Sequence, residues 1–232
     1  MEINKMHLLE LEAEQFPEFQ RSLAKRLELS REMPAIEVQL CAGVDVAYWR
    51  EGSTEYGVCS IAVLDAKTGE VAEQVSCVGE VDVPYIPGCL AFRELPLILE
   101  AAEQLETVPD VFLFDGNGIL HPRRLGIASH ASFFLGKPTV GVAKTYYKIG
   151  GTDFIAPGNK PGDFTEILIE GEIRGRALRT VPGVKPVFVS PGNWITLESA
   201  TELVMRLIGT QSRLPVPIRL ADLESRRLKR ER

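Results

Sequence analysis

The sequence lacks the features of a membrane or secreted protein. Its 232 residues contain no run near the roughly 20 apolar residues that cross a bilayer. The first 20 residues carry five glutamates, so they do not show the basic-then-apolar pattern of a signal peptide. With 45% apolar and 25% charged residues, the composition is that of a globular protein and not of a disordered or collagenous one.

Cysteine and histidine are too few and too scattered for a zinc site. The four cysteines form no CxxC pair, and the three histidines lie at no zinc-finger spacing from them. Cys41, Cys59 and Cys77 each lie in an apolar, strand-like run. We therefore expect buried, reduced cysteines, which together with the missing export signal favours a cytoplasmic location.

The sequence also lacks the excess of positive charge that is typical of nucleic-acid-binding proteins. Its net charge is −6, but the charges are unevenly distributed. Residues 51–82 hold seven acidic residues and one lysine, whereas residues 115–150 hold five basic residues and one acidic one, and 213–232 hold seven basic and three acidic ones. A local basic surface for a polyanion therefore remains compatible with the acidic total.

Apolar periodicity predicts a mixed β-sheet with helices on its faces. The predicted elements are a helix over 7–29, strands over 38–49, 56–65 and 70–81, a helix over 92–105, a strand over 111–115, a helix over 127–135, strands over 139–143, 165–170, 174–181 and 187–190, and helices over 197–208 and 218–229. Short turns are expected at 66–69 and at Gly171–Ile173, and Pro96 fits its helix only in the first turn. This α/β order is compatible with an RNase H-like architecture, although other α/β folds share parts of it.

Two acidic residues stand out because they lie in apolar strands. Asp45 is flanked by valines, and Asp115 ends the run VFLFD before Gly116. A carboxylate buried in a strand is costly unless it is paired or binds a cation. If the two strands are neighbours, both carboxylates reach one edge of the sheet, where Mg²⁺ fits. The alternatives are a turn or helix-capping role for Asp115 and, for Glu94, a favourable interaction with a helix dipole.

The loop after Asp115 is rich in polar groups. Gly116 and Gly118 allow a ligand to approach the backbone, and His121, Arg123 and Arg124 are donors suited to phosphate. Lys144 ends the next strand and is expected to face the same edge. The alternative for the two arginines is an ordinary solvated loop, and His130, on a predicted helix beside two phenylalanines, is interpreted as structural.

Five blocks of the sequence closely resemble the endonuclease V family over about residues 7–228. They are GVDVAYW (43–49), VPYIPGCLAFRELP (83–96), DVFLFDGNGILHPRRLGIASH (110–130), PTVGVAK (138–144) and PVFVSPGNWITLESA (186–200). The resemblance implies a single RNase H-like domain over residues 1–232. It also implies an enzyme that cuts DNA at the second phosphodiester bond 3′ to deoxyinosine and leaves 3′-hydroxyl and 5′-phosphate ends. Some members of the family also cut RNA at inosine.

The same resemblance assigns roles to individual residues. It implies a site for Mg²⁺, or for Mn²⁺ as a substitute, formed by Asp45, Glu94, Asp115 and, as the most variable position, Asp222. Lys144 and His121 correspond to basic residues at the cleavage site. Tyr85 resembles a wedge that holds the strands apart at the lesion. The implied substrate-binding residues are Tyr85, Gly88, Leu90, Arg93, Gly116 and Arg123.

Three other functions share parts of this pattern. A junction resolvase also has an acidic metal site on such a sheet, and a non-catalytic inosine-binding protein keeps the base-binding residues. A small-molecule phosphohydrolase is the third. The set of Asp45, Glu94, Asp115 and Lys144 argues against a pure binder, and the VPYIPG segment favours a polymeric substrate. The expected partners are deoxyinosine-containing DNA and inosine-containing RNA, with a monomer as the default.

Overall fold

The computed structural model describes residues 1–4 and 11–232, which form eight strands and five α-helices. In chain order these are α1 (Phe16–Ala24), β1 (Leu40–Glu51), β2 (Thr54–Asp65), β3 (Val71–Glu80), α2 (Leu90–Glu103), β4 (Val111–Phe114), α3 (Ile127–Leu135), β5 (Thr139–Ala143), β6 (Phe164–Ile169), β7 (Glu172–Leu178), β8 (Val187–Asn193), α4 (Leu197–Arg206) and α5 (Val216–Arg230).

All eight strands belong to one mixed sheet with the order β3-β2-β1-β4-β5-β8-β7-β6. The first three strands are antiparallel, as the short turn at 66–69 predicts. β1 and β4 are parallel neighbours, with Cys41 opposite Val111 and Val44 opposite Phe114. The two strands that carry the conspicuous acidic residues therefore lie side by side, and both point to the same edge of the sheet.

The two main parts of the hydrophobic core lie on opposite faces of this sheet. Ala42 and Val44 of β1 pack with residues of α2 and α3, whereas Cys41 packs with residues of α4 and α5. This division follows from the alternation of side chains along a strand. At Gly43 a Cβ atom would lie 2.1 Å from a backbone atom of Pro217, so glycine allows α5 to rest directly on β1. Asp45, two residues further along the strand, consequently faces α5.

The first helix is shorter than the sequence predicts. Part of the expected helix over 7–29 lies outside the described residues, and α1 ends at Ala24. The chain then makes long-range contacts that a helix would prevent. The amide of Glu28 donates to the side chain of Asn193, and its carbonyl accepts from the amide of Trp194. Residues 25–27 still make turn-like hydrogen bonds to residues 22–24, and tertiary hydrogen bonds replace local ones at Glu28.

Two further expectations are wrong. Pro96 is the seventh residue of α2 and not in its first turn. Proline there removes the helical hydrogen bond to the carbonyl of Phe92, but Pro96 is exposed, and the packed apolar face of α2 maintains the helix. The turn between β6 and β7 consists of Glu170 and Gly171, both at positive φ, so Glu172 and Ile173 belong to β7.

Two expectations drawn from missing sequence features can be compared with the structure. Within residues 1–4 and 11–232 no helix is both long enough and apolar enough to cross a membrane. All four cysteines are buried free thiols, as their apolar surroundings predict.

Candidate active site

Three aspartates converge at the edge of the sheet where β1 and β4 meet. Asp45 lies on β1, Asp115 directly follows β4, and Asp222 lies on α5, which packs across β1. Each offers a carboxylate oxygen, and these oxygens lie within 4.8 Å of one another. The convergence that the strand pattern predicts for Asp45 and Asp115 is therefore present, and Asp222 joins them.

Asp45 is the most buried of the three, with 9% of its surface exposed. The hydroxyl of Ser225, one turn after Asp222 on α5, donates a hydrogen bond of 2.5 Å to Oδ2 of Asp45. Burial raises the pKa of Asp45 to about 6 and the charge of Asp115 acts in the same direction, although the Ser225 hydrogen bond opposes both. A cation beside this buried carboxyl would stabilise its charged form.

Lys144, just after β5, supplies positive charge to the cluster. Its Nζ lies 2.5 Å from Oδ2 of Asp115 and 2.6 Å from Oδ1 of Asp222. Burial lowers the pKa of Lys144, but the charges and hydrogen bonds of Asp115 and Asp222 raise it by more, so that the pKa is raised overall. Arg226 also lies 2.9 Å from Asp222, and it lines the open cleft above the cluster together with Lys229. The cleft thus combines acidic groups at its base with basic groups at its wall.

Glu94 reaches the same region from α2. It borders a small cavity of about 100 Å³ together with Asp45 and Asp115. The hydroxyl of Tyr48 donates a hydrogen bond of 2.6 Å to its Oε1. Burial raises the pKa of Glu94 to about 8, and the charges of Asp45 and Asp115 contribute, while the Tyr48 hydrogen bond lowers it. Glu94 is therefore electrostatically coupled to the aspartates.

Arg93 is buried next to Tyr48, the residue that donates to Glu94. Its guanidinium lies 4.4 Å from the ring centroid of Tyr48 and 3.0 Å from the carboxylate of Glu55. It also donates a hydrogen bond of 2.6 Å to the carbonyl of Val83. The structure thus places Arg93, for which the resemblance implies substrate binding, in a buried position where it holds Tyr48 and the segment before Tyr85.

The donor set fits a hard divalent cation. Asp45, Asp115 and Asp222 form one cluster, and Glu94 faces two of them across the small cavity. Carboxylate oxygens are the ligands that Mg²⁺ and Ca²⁺ prefer, whereas no cysteine or histidine belongs to the cluster among the described residues. Burial is the main cause of the raised pKa values of Asp45 and Glu94, and a cation beside them would favour their charged forms.

A second cavity, of about 240 Å³, lies next to the acidic cluster. Its lining includes Gly116, which follows Asp115, and Thr145, which follows Lys144. Gly88, Leu90 and His121 also line it, and so does Tyr85, whose side chain is 65% exposed. Most residues of substrate contact implied by the resemblance therefore surround one cavity; we call it the glycine-lined cavity.

The carbonyl of Gly88 fixes the wall of this cavity. It accepts hydrogen bonds from Gln20 Nε2 at 3.0 Å, His121 Nε2 at 2.9 Å and Arg123 Nη2 at 2.6 Å. Since Nδ1 of His121 accepts from the amide of Arg123, we assign the ring proton to Nε2. Burial and the charge of Arg123 lower the pKa of His121 to about 4, so the ring is neutral at pH 7. Gly88 itself has φ +77°, which favours glycine.

Four residues of these two sites do not emerge from the sequence: Gln20, Tyr48, Asn117 and Ser225. Gln20 is only 1% exposed, and its position on the apolar face of α1, between Phe16 and Leu23, is a signal that sequence reasoning could have used. Ser225 lies three residues after Asp222 on one helix face. Asn117 lines the glycine-lined cavity, and its buried Oδ1 has no hydrogen-bond partner among the described residues.

Comparison with known proteins identifies the family. A family model for endonuclease V matches residues 21–223. Endonuclease V of Bacillus velezensis is 55% identical over 226 residues, 97% of this chain and 95% of the relative. The crystal structure of endonuclease V from Bacillus subtilis matches with a TM-score of 0.97 and 52% identity, over 99% of this chain and 98% of that one.

A more distant solved structure includes a nucleic acid. Endonuclease V of Ciona intestinalis, in complex with a 24-mer DNA containing an inosine followed by a ribo-adenosine, matches with a TM-score of 0.81 and 28% identity, over 94% of this chain and 99% of that one. The mixed sheet with helices on both faces is the RNase H-like fold of these structures. The chain belongs to the endonuclease V family.

Proposed function

We propose that this protein is a metal-dependent DNA repair endonuclease that recognises deoxyinosine. It hydrolyses the second phosphodiester bond on the 3′ side of the lesion and leaves 3′-hydroxyl and 5′-phosphate ends. The observation that carries this proposal is the position of the carboxylate cluster directly beside the glycine-lined cavity, since Asp115 and Gly116 are consecutive residues of the two sites. The Ciona complex with inosine-containing DNA supports the choice of base.

Asp45, Glu94, Asp115 and Asp222 would hold the divalent cation, with Mg²⁺ as the expected ion and Mn²⁺ as a substitute. When bound, such a cation supplies the activation of water and the stabilisation of the leaving oxygen. Lys144 adds a positive charge beside the phosphate that is cut, because its ammonium already lies at the cluster. Arg226 and Lys229, on the wall of the same cleft, hold the neighbouring phosphates by charge.

The glycine-lined cavity receives the lesion base after it has left the base stack. Flipping costs a few kcal/mol, and less for a weakly paired base such as hypoxanthine. Hypoxanthine presents a carbonyl and a ring N–H where adenine presents an amino group and an unprotonated nitrogen. The unpaired Oδ1 of Asn117 and the backbone groups at Gly88 and Gly116 are suited to reading this difference. Tyr85 fills the vacated position in the duplex.

His121 and Arg123 hold the backbone of Gly88, which lines the glycine-lined cavity, in position. Both donate to the carbonyl of Gly88, and Arg123 also donates to Gln20. A neutral imidazole in this position is a weaker phosphate ligand than a charged one. We therefore place His121 as a residue that orients the Gly88 backbone at the edge of the cleavage site.

Cleavage of RNA at inosine is a second candidate activity. The Ciona complex carries a ribonucleotide directly after the inosine, so a member of this family accommodates a 2′-hydroxyl there. A junction resolvase has no need of a base-sized cavity beside its metal site, and a pure inosine binder has no need of four acidic residues there. We propose that the protein acts as a cytoplasmic monomer with one catalytic domain.

A nicking assay tests the proposal. Labelled duplexes with one deoxyinosine, with no lesion, and with a four-way junction are incubated with Mg²⁺ and the protein. We expect a single nick at the second phosphodiester bond 3′ to deoxyinosine, directly after the nucleotide that follows the lesion, and none in the intact duplex. Asp45→Asn should abolish it, whereas Asp153→Asn, which changes an exposed carboxylate paired with Lys148, should not. Cutting of the junction alone would establish the resolvase instead.

A further inference from the structure

A third cavity, of about 290 Å³, lies between α1, the loop before α3 and β7. Five positively charged side chains line it: Arg21, Lys25, Arg123, Arg124 and Arg174. Among the described residues no acidic side chain belongs to its lining. We call this cavity the cationic groove.

The charge of the groove is only partly compensated. Glu172 lies 2.9 Å from Arg124, and Arg174 pairs with Glu170 and Glu172 at 3.1 and 3.2 Å. Arg123 is bound to neutral acceptors. Arg21 and Lys25 are exposed, and within residues 1–4 and 11–232 neither forms an ion pair. Five cations face two carboxylates, so the groove keeps a surplus of positive charge for a polyanion.

The base of the groove is held in place. The guanidinium of Arg174 is buried and donates to the carbonyl of His121 at 3.3 Å. Arg124 has φ +58°, a backbone conformation that is unfavourable for a residue other than glycine, and its Nε is buried without a partner among the described residues. Such strain persists only where the surroundings enforce it, and it is frequent at ligand-binding positions.

The groove lies next to the glycine-lined cavity and, among the described residues, shares no lining residue with the cleft above the acidic cluster. The hydrogen bond of 2.6 Å from Arg123 Nε to Gln20 forms part of the wall between the two, because Gln20 lines the glycine-lined cavity and Arg123 lines the groove. The glycine-lined cavity also borders the cluster, through Gly116 and Thr145, which follow Asp115 and Lys144. The glycine-lined cavity therefore has the acidic cluster as one neighbour and the cationic groove as another.

We propose that the cationic groove binds the phosphates of the lesion-bearing strand on the 5′ side of the flipped nucleotide. The inference rests on the proposed function. In the proposed function the bond that is cut lies 3′ to the lesion and at the acidic cluster, while the lesion base occupies the glycine-lined cavity. The strand on the 5′ side of the lesion then continues from this cavity towards the groove. The phosphates there meet Arg21, Lys25 and Arg124, which suit an extended anionic chain.

Binding of single-stranded oligonucleotides tests this. One has nucleotides on both sides of a deoxyinosine, a second begins with the deoxyinosine, and a third ends with it. Fluorescence anisotropy is measured in EDTA, which prevents a metal-dependent cut. Arg21→Ala/Lys25→Ala should bind the first and third about tenfold more weakly than the wild type, with a salt dependence lower by about one unit per lost contact, and should bind the second equally well.

The matched control is Arg50→Ala/Lys67→Ala, which removes the same charge from the exposed residues of the β1–β3 region. Equal losses of the groove variant on the second and third oligonucleotides would overturn the inference, as would no loss at all or a loss of the same size in the control. A fourth oligonucleotide has the sequence of the first with deoxyadenosine in place of deoxyinosine. If the wild type binds it as well as the first, the proposed function fails and the groove assignment with it. The two failures are therefore distinguishable.

Discussion

Ser225 and Asp45 are joined by a hydrogen bond of 2.5 Å that connects the last helix to the first strand at the acidic cluster. Ser225 is fully buried, and its hydroxyl also lies 3.1 Å from the carbonyl of Asp222. One side chain thus fixes the orientation of one carboxylate and of the helical turn that carries another. Groups that orient metal ligands in this way contribute strongly to metal affinity.

Ser225→Ala should therefore weaken binding of the divalent cation. We expect the Mg²⁺ concentration for half-maximal cleavage to rise by about 10- to 100-fold, with most of the rate recovered at saturating Mg²⁺. The measurement is the initial nicking rate as a function of Mg²⁺ concentration. Ser199→Ala is the control, since Ser199 is a buried serine of α4 that does not contact the cluster of Asp45, Asp115 and Asp222. An unchanged Mg²⁺ requirement would show that Ser225 serves only the fold.

Local sequence pattern accounts for the elements that carry the aspartates. The apolar runs around Asp45 and before Asp115 correspond to β1 and β4, and their burial on both faces explains why their acidic residues are conspicuous. A local pattern does not predict contacts between segments that are distant in the sequence. Ser225 and Gln20 acquire their roles only when α5 crosses β1 and α1 packs near Gly88.

The same reason explains the errors. A helix over 7–29 is a sound expectation from periodicity alone, but Glu28 is bound to β8 and to Trp194 just after it, which no local pattern shows. Pro96 is unfavourable in a helix by about 3 kcal/mol, and only the packing of α2 against the sheet outweighs that cost. Substrate contact by Arg93, which the family resemblance implies, stays a prediction, and the structure shows the side chain buried against Tyr48.

The raised pKa values of Asp45 and Glu94 predict that pH and Mg²⁺ act together on stability. A carboxyl whose pKa is raised by folding stabilises the protein below its unfolded pKa, and this stability is lost as pH rises through about 6 for Asp45 and about 8 for Glu94. The metal-free protein should therefore lose thermal stability as the pH rises across this range. Mg²⁺ competes with protons for these groups, so its apparent affinity should rise by up to about tenfold per pH unit.

Thermal unfolding with EDTA or with Mg²⁺ at several pH values measures this effect. The increase in Tm caused by Mg²⁺ should be larger near pH 9 than near pH 6. Glu94→Gln keeps the shape of the side chain but removes the titration, so the metal-free variant should be the more stable one at high pH and should be inactive. An increase in Tm that is the same at every pH would contradict the assignment of protons to these carboxyls.

Lys144 is expected to matter both for the metal-free fold and for the reaction. Without its ammonium, Asp115 and Asp222 repel each other, so Lys144→Met should lower the free energy of unfolding by about 1–3 kcal/mol, less than for a fully buried pair. Mg²⁺ should restore this stability, because it replaces the missing charge. The single-turnover cleavage rate should remain about 100-fold lower, since the charge beside the phosphate stays absent.

Lys148→Met is a matched control, because Lys148 pairs with Asp153 at 2.6 Å on the exposed surface. It should change neither the free energy of unfolding by more than about 1 kcal/mol nor the cleavage rate. Recovery of the full rate of Lys144→Met at saturating Mg²⁺ would limit the role of Lys144 to holding the aspartates together.

Substitution of Tyr85 tests whether this residue connects the glycine-lined cavity to the duplex. Its side chain is 65% exposed between Pro84 and Pro87, so Tyr85→Ala should leave the Tm unchanged. Stacking of an aromatic side chain on a base contributes about 1–3 kcal/mol, so we expect about tenfold or greater loss of affinity for a deoxyinosine duplex and little loss for an intact one. Tyr85→Phe, which keeps the ring, should bind both like the wild type.

A single-stranded oligonucleotide containing deoxyinosine separates two explanations of that loss. If Tyr85 fills the position that the flipped base leaves in the duplex, Tyr85→Ala should weaken binding to the single strand much less than to the duplex, because no opposing strand has to be held apart. If Tyr85 instead forms part of the cavity for the base, the two losses should be equal. Gel-shift titrations in EDTA measure both, and equal losses on damaged and intact duplex would remove the wedge role altogether.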